Sequence, residues 1–283
     1  MQKADIEQAF RKAGLQARIP AIDRLVRPSI RLRATPVEES TLVAGATKLG
    51  GHPDLPEKVA WPGARNIPLS FLAQIRLSDV QPFDSEHLLP PQGTLWFFYD
   101  ARQETFGEQP EDRAGWSILF TPASAPHLQR QQTPAELPSA SLFPACALTP
   151  HSELTLALQP ELELPDFDWS DKEQQAYEAV LEALHPAEER GQPHHRLLGY
   201  PDTIQDDMRE QCQLVSNGIT DSADPRAAEL QKGDADWQLV LQIDSDATAQ
   251  MRWANNGMIY YWTRQADLRA GRFNQSWLVL QSE

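Results

Sequence analysis

Apolar and polar positions alternate in several short runs, and that alternation predicts a chain built mostly of strands. Over 29–35, Ile30, Leu32 and Ala34 face one way while Arg31 and Arg33 face the other, as in a half-buried strand. Further strand-like runs, rich in aromatic and β-branched residues, lie at 70–76, 94–99, 116–121, 237–243, 258–263 and 277–281. Leu154, Leu156 and Leu158 alternate in one more. Two stretches carry the longer helical period instead. Ile6, Phe10 and Ala13 share a face over 4–13, and Gly14 follows as a C-cap glycine. Ser170-Asp171-Lys172-Glu173 reads as a capping box, behind which Tyr177, Val180, Leu181 and Leu184 form a stripe that Pro186 closes, a helix near 171–185.

Between Pro122 and Pro165 lie eight prolines in 44 residues. Proline has no N–H to give to a ladder, so this segment is expected to be a connector with at most one or two edge strands.

The two halves repeat one another. Leu49-Gly50-Gly51-His52-Pro53-Asp54 corresponds to Leu197-Leu198-Gly199-Tyr200-Pro201-Asp202, and Phe71-Leu72-Ala73-Gln74-Ile75 to Leu239-Val240-Leu241-Gln242-Ile243. The block from Gly93 to Phe98 then matches Gly257 to Trp262, and that from Trp116 to Phe120 matches Trp277 to Gln281. Gly51 and Gln74 are 23 residues apart, against 43 for Gly199 and Gln242, so the second copy carries an insertion of about twenty. The remaining spacings are 19 against 15, and 23 against 20. Glycine before x-Pro-Asp suits a turn that needs positive φ. Consecutive strands without long intervening helices point to antiparallel pairing. The expectation is a mainly β (α+β) chain: copy one at about 48–121, connector and helix at about 122–195, copy two at about 196–281, both copies sharing one core.

At these positions the sequence resembles the YwqG-like proteins, a domain of unknown function. The resemblance rests on Lys48-Leu49-Gly50-Gly51 with Pro53 and Leu55-Pro56, Trp61-Pro62, Phe71 to Ile75, and Gly93 to Tyr99. In the second half it rests on His195 to Asp202, Leu241 to Asp246, and Gly257 to Tyr260. It covers nearly the whole chain from about residue 30. It implies a roll-like, mainly β fold with accessory helices, and it implies no activity.

Charge narrows the partners. The net charge of −15 disfavours nucleic acid and anionic membrane surfaces, both of which are bound through Lys and Arg, and suits a basic protein partner. Arg18, Arg24, Arg27, Arg31 and Arg33 are the one local basic run, expected as a solvated face. The start has no apolar core behind a basic end and no stretch of 18 apolar residues occurs, so the cytoplasm is the default expectation. Cys146 and Cys212 form no C-x-x-C pair, which excludes a zinc ribbon or a disulfide scaffold.

No catalytic motif stands out: no Gly-x-Ser-x-Gly, P-loop or Gly-x-Gly-x-x-Gly occurs, and no cofactor is expected. Gln74 and Gln242 sit inside apolar strands, where a buried amide must be hydrogen-bonded. Either each ties down a neighbouring loop, or the pair lines a groove between the copies together with Asp202 and Asp244. Asp244-Ser245-Asp246 puts two carboxylates on one side of an extended chain, a weak hard-cation signal that Asp202, Asp206 or Asp207 would complete. The first copy has Arg76-Leu77-Ser78 there, so the acidic pair is not inherent to the unit. His52, His194 and His195 lack zinc-ligand spacing. Trp61 and Trp253, in loops, are the aromatic candidates for a ligand or partner surface. A non-catalytic binding protein, in one form an immunity-type protein, is the leading expectation, with an enzyme or small-ligand binder using a cleft between the copies as the alternative.

Overall fold

Ten strands hydrogen-bond into one antiparallel sheet. The computed structural model describes residues 2–64, 66–123, 127–164, 166, 168–184 and 191–283. In chain order the strands are β1 (Val26–Pro36), β2 (Lys48–Leu49), β3 (Ser70–Arg76), β4 (Thr94–Tyr99), β5 (Trp116–Thr121), β6 (Cys146–Leu156), β7 (His195–Leu197), β8 (Trp237–Asp244), β9 (Met258–Arg264) and β10 (Trp277–Gln281). Their order across the sheet is β10-β9-β8-β7-β1-β6-β2-β3-β4-β5. A central pair, β1 with β6, is therefore flanked by two four-strand blocks that run outward in the same chain order.

The blocks agree in detail. In each, the long strand beside the shortest one carries a β-bulge, between Phe71 and Ala73 in β3 and between Leu239 and Leu241 in β8, which are aligned positions. Gly50 N–H bonds to Leu72 O at 2.8 Å, and its counterpart Leu198 N–H bonds to Val240 O at 3.4 Å. Leu77 N–H meets Gly93 O as Ser245 N–H meets Gly257 O.

The sheet nearly closes on itself. Phe106 and Gly107 lie along the outer edge of β10: Leu280 N–H donates to Phe106 O at 3.1 Å and Trp277 Nε1–H to Gly107 O at 2.9 Å. Gly107 has φ +81°, and a Cβ there would lie 1.8 Å from Leu278 O, so only glycine fits this seam. Trp116 and Trp277 pack edge to face across it, 4.9 Å between centroids. Inside, Phe97 meets Tyr261 at 5.1 Å, and Tyr261 Oη donates to Phe98 O at 3.0 Å. One core thus joins both blocks.

The segment after Pro122 is more than a connector. β6 runs eleven residues through the centre of the sheet and pairs with all of β1, despite Pro150 in its middle. Leu148 N–H points toward Thr47 O, so Pro150, two residues on, turns its nitrogen to that same side. The ladder there is confined to Cys146 and Ala147, and the missing donor therefore breaks no bond.

Helices α1 (Lys3–Lys12) and α2 (Asp171–Leu184) form a layer with its own apolar cluster. Tyr177 joins it to the sheet: its ring meets Phe10 and Trp169, and its Oη donates to Ala157 O at 2.7 Å. Pro186, expected to close α2, lies outside the described residues. The arginine run is a solvated face only in part: Arg24 and Arg33 are exposed, while Arg18, Arg27 and Arg31 are drawn into contacts. Arg18 holds Glu173 and Asp168 O, Arg27 holds Glu163 over the Tyr200 ring, and Arg31 donates to Pro193 O. No helix among the described residues is long and apolar enough to cross a membrane.

Candidate functional site

Gln242 and Gln74 are both fully buried, and each holds the backbone of the loop beside it. Gln242 Oε1 accepts the Asp202 N–H at 2.9 Å, while Nε2 donates to His194 O at 2.7 Å and to Asp202 Oδ2 at 3.0 Å. Gln74 Oε1 accepts the Asp54 N–H at 2.8 Å, and Nε2 donates to Ala46 O at 2.8 Å and Asp54 Oδ2 at 3.0 Å. A basic residue completes each set. Arg196 donates to Tyr200 O and Asp202 Oδ1 at 3.0 and 2.9 Å; Lys48, fully buried, donates to His52 O and lies 3.8 Å from Asp54 Oδ2. These partners occupy aligned positions in the two clusters, whereas Trp96, whose Nε1–H donates to Gln74 Oε1 at 2.7 Å, has no counterpart on Gln242.

The loop owes its shape to paired left-handed residues. Gly50 and Gly51 have φ +58° and +67°, and Leu198 and Gly199 have +61° and +73°. A Cβ on Gly199 would lie 2.6 Å from Thr155 Oγ1, so the chain passes too close to the central strands for a side chain.

The structure does not bring the two glutamines together. Four strands separate β3 from β8, about 24 Å along the sheet. Asp202 and Asp244 do belong to the Gln242 cluster: Asp244 Oδ2 accepts the His194 N–H at 2.8 Å, and His194 Nδ1 lies 3.0 Å from Asp202 Oδ2. Asp246 is held separately by His195, whose Nε2 lies 3.1 Å from its Oδ2 while Nδ1 accepts the Asp244 N–H. Asp244 and Asp246 thus address different partners. Among the described residues, no group of three or more His, Cys, Asp or Glu side chains is placed to hold a metal ion. Trp253 is fully buried against Tyr99 and Phe143, so it presents no surface to a ligand. Trp61 is half-buried, its Nε1–H on Leu69 O and its ring 5.6 Å from Phe98, and it lines a groove with Pro62, Pro68 and Pro134. Burial pushes the Cys146 thiol up to about 11 and raises that of Cys212 well above its ordinary value, so neither is an activated nucleophile.

Burial works against the charged form of Asp202, yet Arg196, His194 and Gln242 outweigh it and hold the carboxyl well below the usual range. Glu39 follows the same logic in the other half: burial opposes ionisation, and Lys48 with the His52 backbone and ring brings its pKa down to about 2. Burial raises Asp244, an effect in the opposite direction. A depressed carboxyl stabilises the fold above its unfolded pKa and loses that contribution as pH falls through the folded value. The Glu39 contribution, about 2–3 kcal/mol, is therefore expected to vanish between pH 4.5 and about 2. Urea unfolding across that window checks it: Glu39→Gln is expected to be less stable at neutral pH and to lose less on acidification.

Sequence reasoning singled out the glutamines and Asp202 but not the residues that neutralise them. Lys48 and Arg196 were legible as cations at one aligned position within an apolar motif. Glu39 and Glu153, which pair with them, come from outside the repeated blocks and carry no comparable signal.

A cavity of about 530 Å³ lies over the central β1–β6 pair, against the second cluster. Arg31, Arg196, His194, Glu153 and Asp202 form its polar side, and Leu181 and Leu184 of α2 its apolar wall. Its volume is in the range of small-molecule sites.

The fold is mainly β, one large antiparallel sheet that nearly closes on itself, with a glutamine cluster in each half. The chain belongs to the family described as Domain of unknown function (DUF1963), whose model matches residues 47–282. No curated protein matches it.

Proposed function

We propose that this chain is a non-catalytic binding protein of the YwqG-like type, with duplicated halves, that meets a basic protein partner through its acidic surface in the manner of an immunity protein. The distribution of charge carries the reading. Among the described residues the buried cations Arg31, Lys48 and Arg196 are matched by the buried carboxylates Asp54, Asp84 and Asp246. The charges at the undescribed positions also cancel, so the whole surplus of −15 falls on side chains that reach solvent. Part of it lies at the seam. Residues 100–112 hold five carboxylates against one cation, and residues 206–236 hold eight against three. The two segments touch where Gln211 Nε2 donates to Gly107 O at 3.2 Å, beside the partly exposed Phe106. A field of one sign speeds association with an oppositely charged partner and makes the complex salt-sensitive.

Affinity capture from the producing cell tests the reading. The wild type is expected to retain a basic protein at low salt and release it at high salt, while a variant carrying Glu104→Gln, Glu108→Gln, Glu111→Gln and Glu210→Gln retains far less. No basic protein at low salt, or equal retention by the variant, overturns it.

A further inference from the structure

We propose that the cavity over the central strand pair binds a small organic anion, a carboxylate or phosphate head on an apolar body. This site is independent of the acidic seam. In a chain with a net charge of −15, the cavity sets Arg31, Arg33 and Arg196, with the imidazoles of His151 and His194, against three carboxylates, so it carries none of that negative surplus. Two of those carboxylates face the guanidinium groups, and they differ in how firmly they are held. Asp202 is committed on both oxygens, to Arg196 on one and to His194 and Gln242 on the other. Glu153 is shared instead. Arg196 reaches one of its oxygens through Nε at 3.1 Å and the other through Nη2 at a longer 3.5 Å, while Ser29 Oγ donates to it at 3.3 Å and Arg31 Nη1 lies 3.7 Å away. Arg196 is 3% exposed and Arg31 6%, which places both charges where water screens them little and a second anion gains most. Opposite this polar floor stand Leu158, Leu181 and Leu184, an apolar wall that an inorganic ion would leave uncovered. Head and body are thereby both specified.

Thermal unfolding and calorimetric titration with octanoate and octyl phosphate, each beside octylammonium, acetate and inorganic phosphate, test the assignment. At least one of the two amphiphilic anions is expected to raise the Tm saturably, and which of them does identifies the head. Octylammonium is expected to leave the Tm unchanged, and acetate and inorganic phosphate to bind at least about tenfold more weakly. Ser152 and Leu158 both line the cavity and reach solvent, so Ser152→Asp and Leu158→Asp are expected to fold and to weaken the amphiphile about tenfold or more by adding a competing carboxylate. Failure of both anions to bind overturns the proposal. So does equal stabilisation by octylammonium, or undiminished binding in both variants.

Discussion

Replacing Gln74 by leucine is expected to cost the fold roughly 3–5 kcal/mol, with a similar loss for Gln242→Leu. Leucine has nearly the right volume, so the cost is not a cavity. It is the set of polar groups left behind. Without the Gln74 amide, the Asp54 N–H, the Ala46 carbonyl and the Trp96 indole N–H all lose a partner in a region closed to water. Each such orphan costs about 1–3 kcal/mol. Gln242→Leu abandons the Asp202 N–H and the His194 carbonyl in the same way. Chemical denaturation measures both. Because the clusters are about 24 Å apart along the sheet, the double variant is expected to show the sum of the single losses. A loss below about 1 kcal/mol at either site contradicts a structural role for that amide.

The second large effect is expected from the cations. Arg196→Met takes from Asp202 and Glu153 their closest cation, leaving His194 and the more distant Arg31, and Lys48→Met takes from Glu39 its closest cation while Arg130 stays 3.0 Å from the fully buried Asp54. Removing one member of a buried ion pair costs about 3–5 kcal/mol, since the remaining charge keeps its desolvation penalty without its partner. The pH dependence separates this from lost packing. In Lys48→Met the carboxyl of Glu39 loses its main opposing charge, so its pKa rises and the stability difference from wild type narrows on acidification. A difference that stays constant with pH assigns the loss to packing instead.

Much of the strand order could be read from the sequence because alternation and burial coincide there. The runs at 70–76, 94–99 and 116–121 each became a strand at those bounds, and the aligned runs in the second half became β8, β9 and β10. β6 was the failure. The prolines in and around it argued for an edge or a connector, and nothing local shows that the ladder on Pro150's donor side ends three residues earlier, at Ala147. The arginine run held only in part: alternation shows that Arg31 and Arg33 point away from the core, and Arg33 is exposed, but it does not show that Arg31 is covered on that side.

The glutamines illustrate the same boundary. Their position inside apolar strands marked them as hydrogen-bonded, and sequence alone left open whether the partner was a loop or a ligand. Three-dimensional geometry answers for the backbone partners, since each amide bonds the main chain two residues before the cation and again at the Asp of Pro-Asp. Trp253 was open in the same way, since a loop residue beside Asn255-Asn256 either faces a ligand or is buried under its loop, and it is fully buried against Tyr99 and Phe143.

Amide hydrogen exchange at Asp54 and Asp202 tests the central claim most directly. If each buried glutamine clamps its Gly-x-Pro-Asp loop, both N–H groups exchange only through unfolding close to global, and Gln74→Leu frees Asp54 alone while Gln242→Leu frees Asp202 alone. Rapid exchange of either amide in the wild-type protein would contradict the claim.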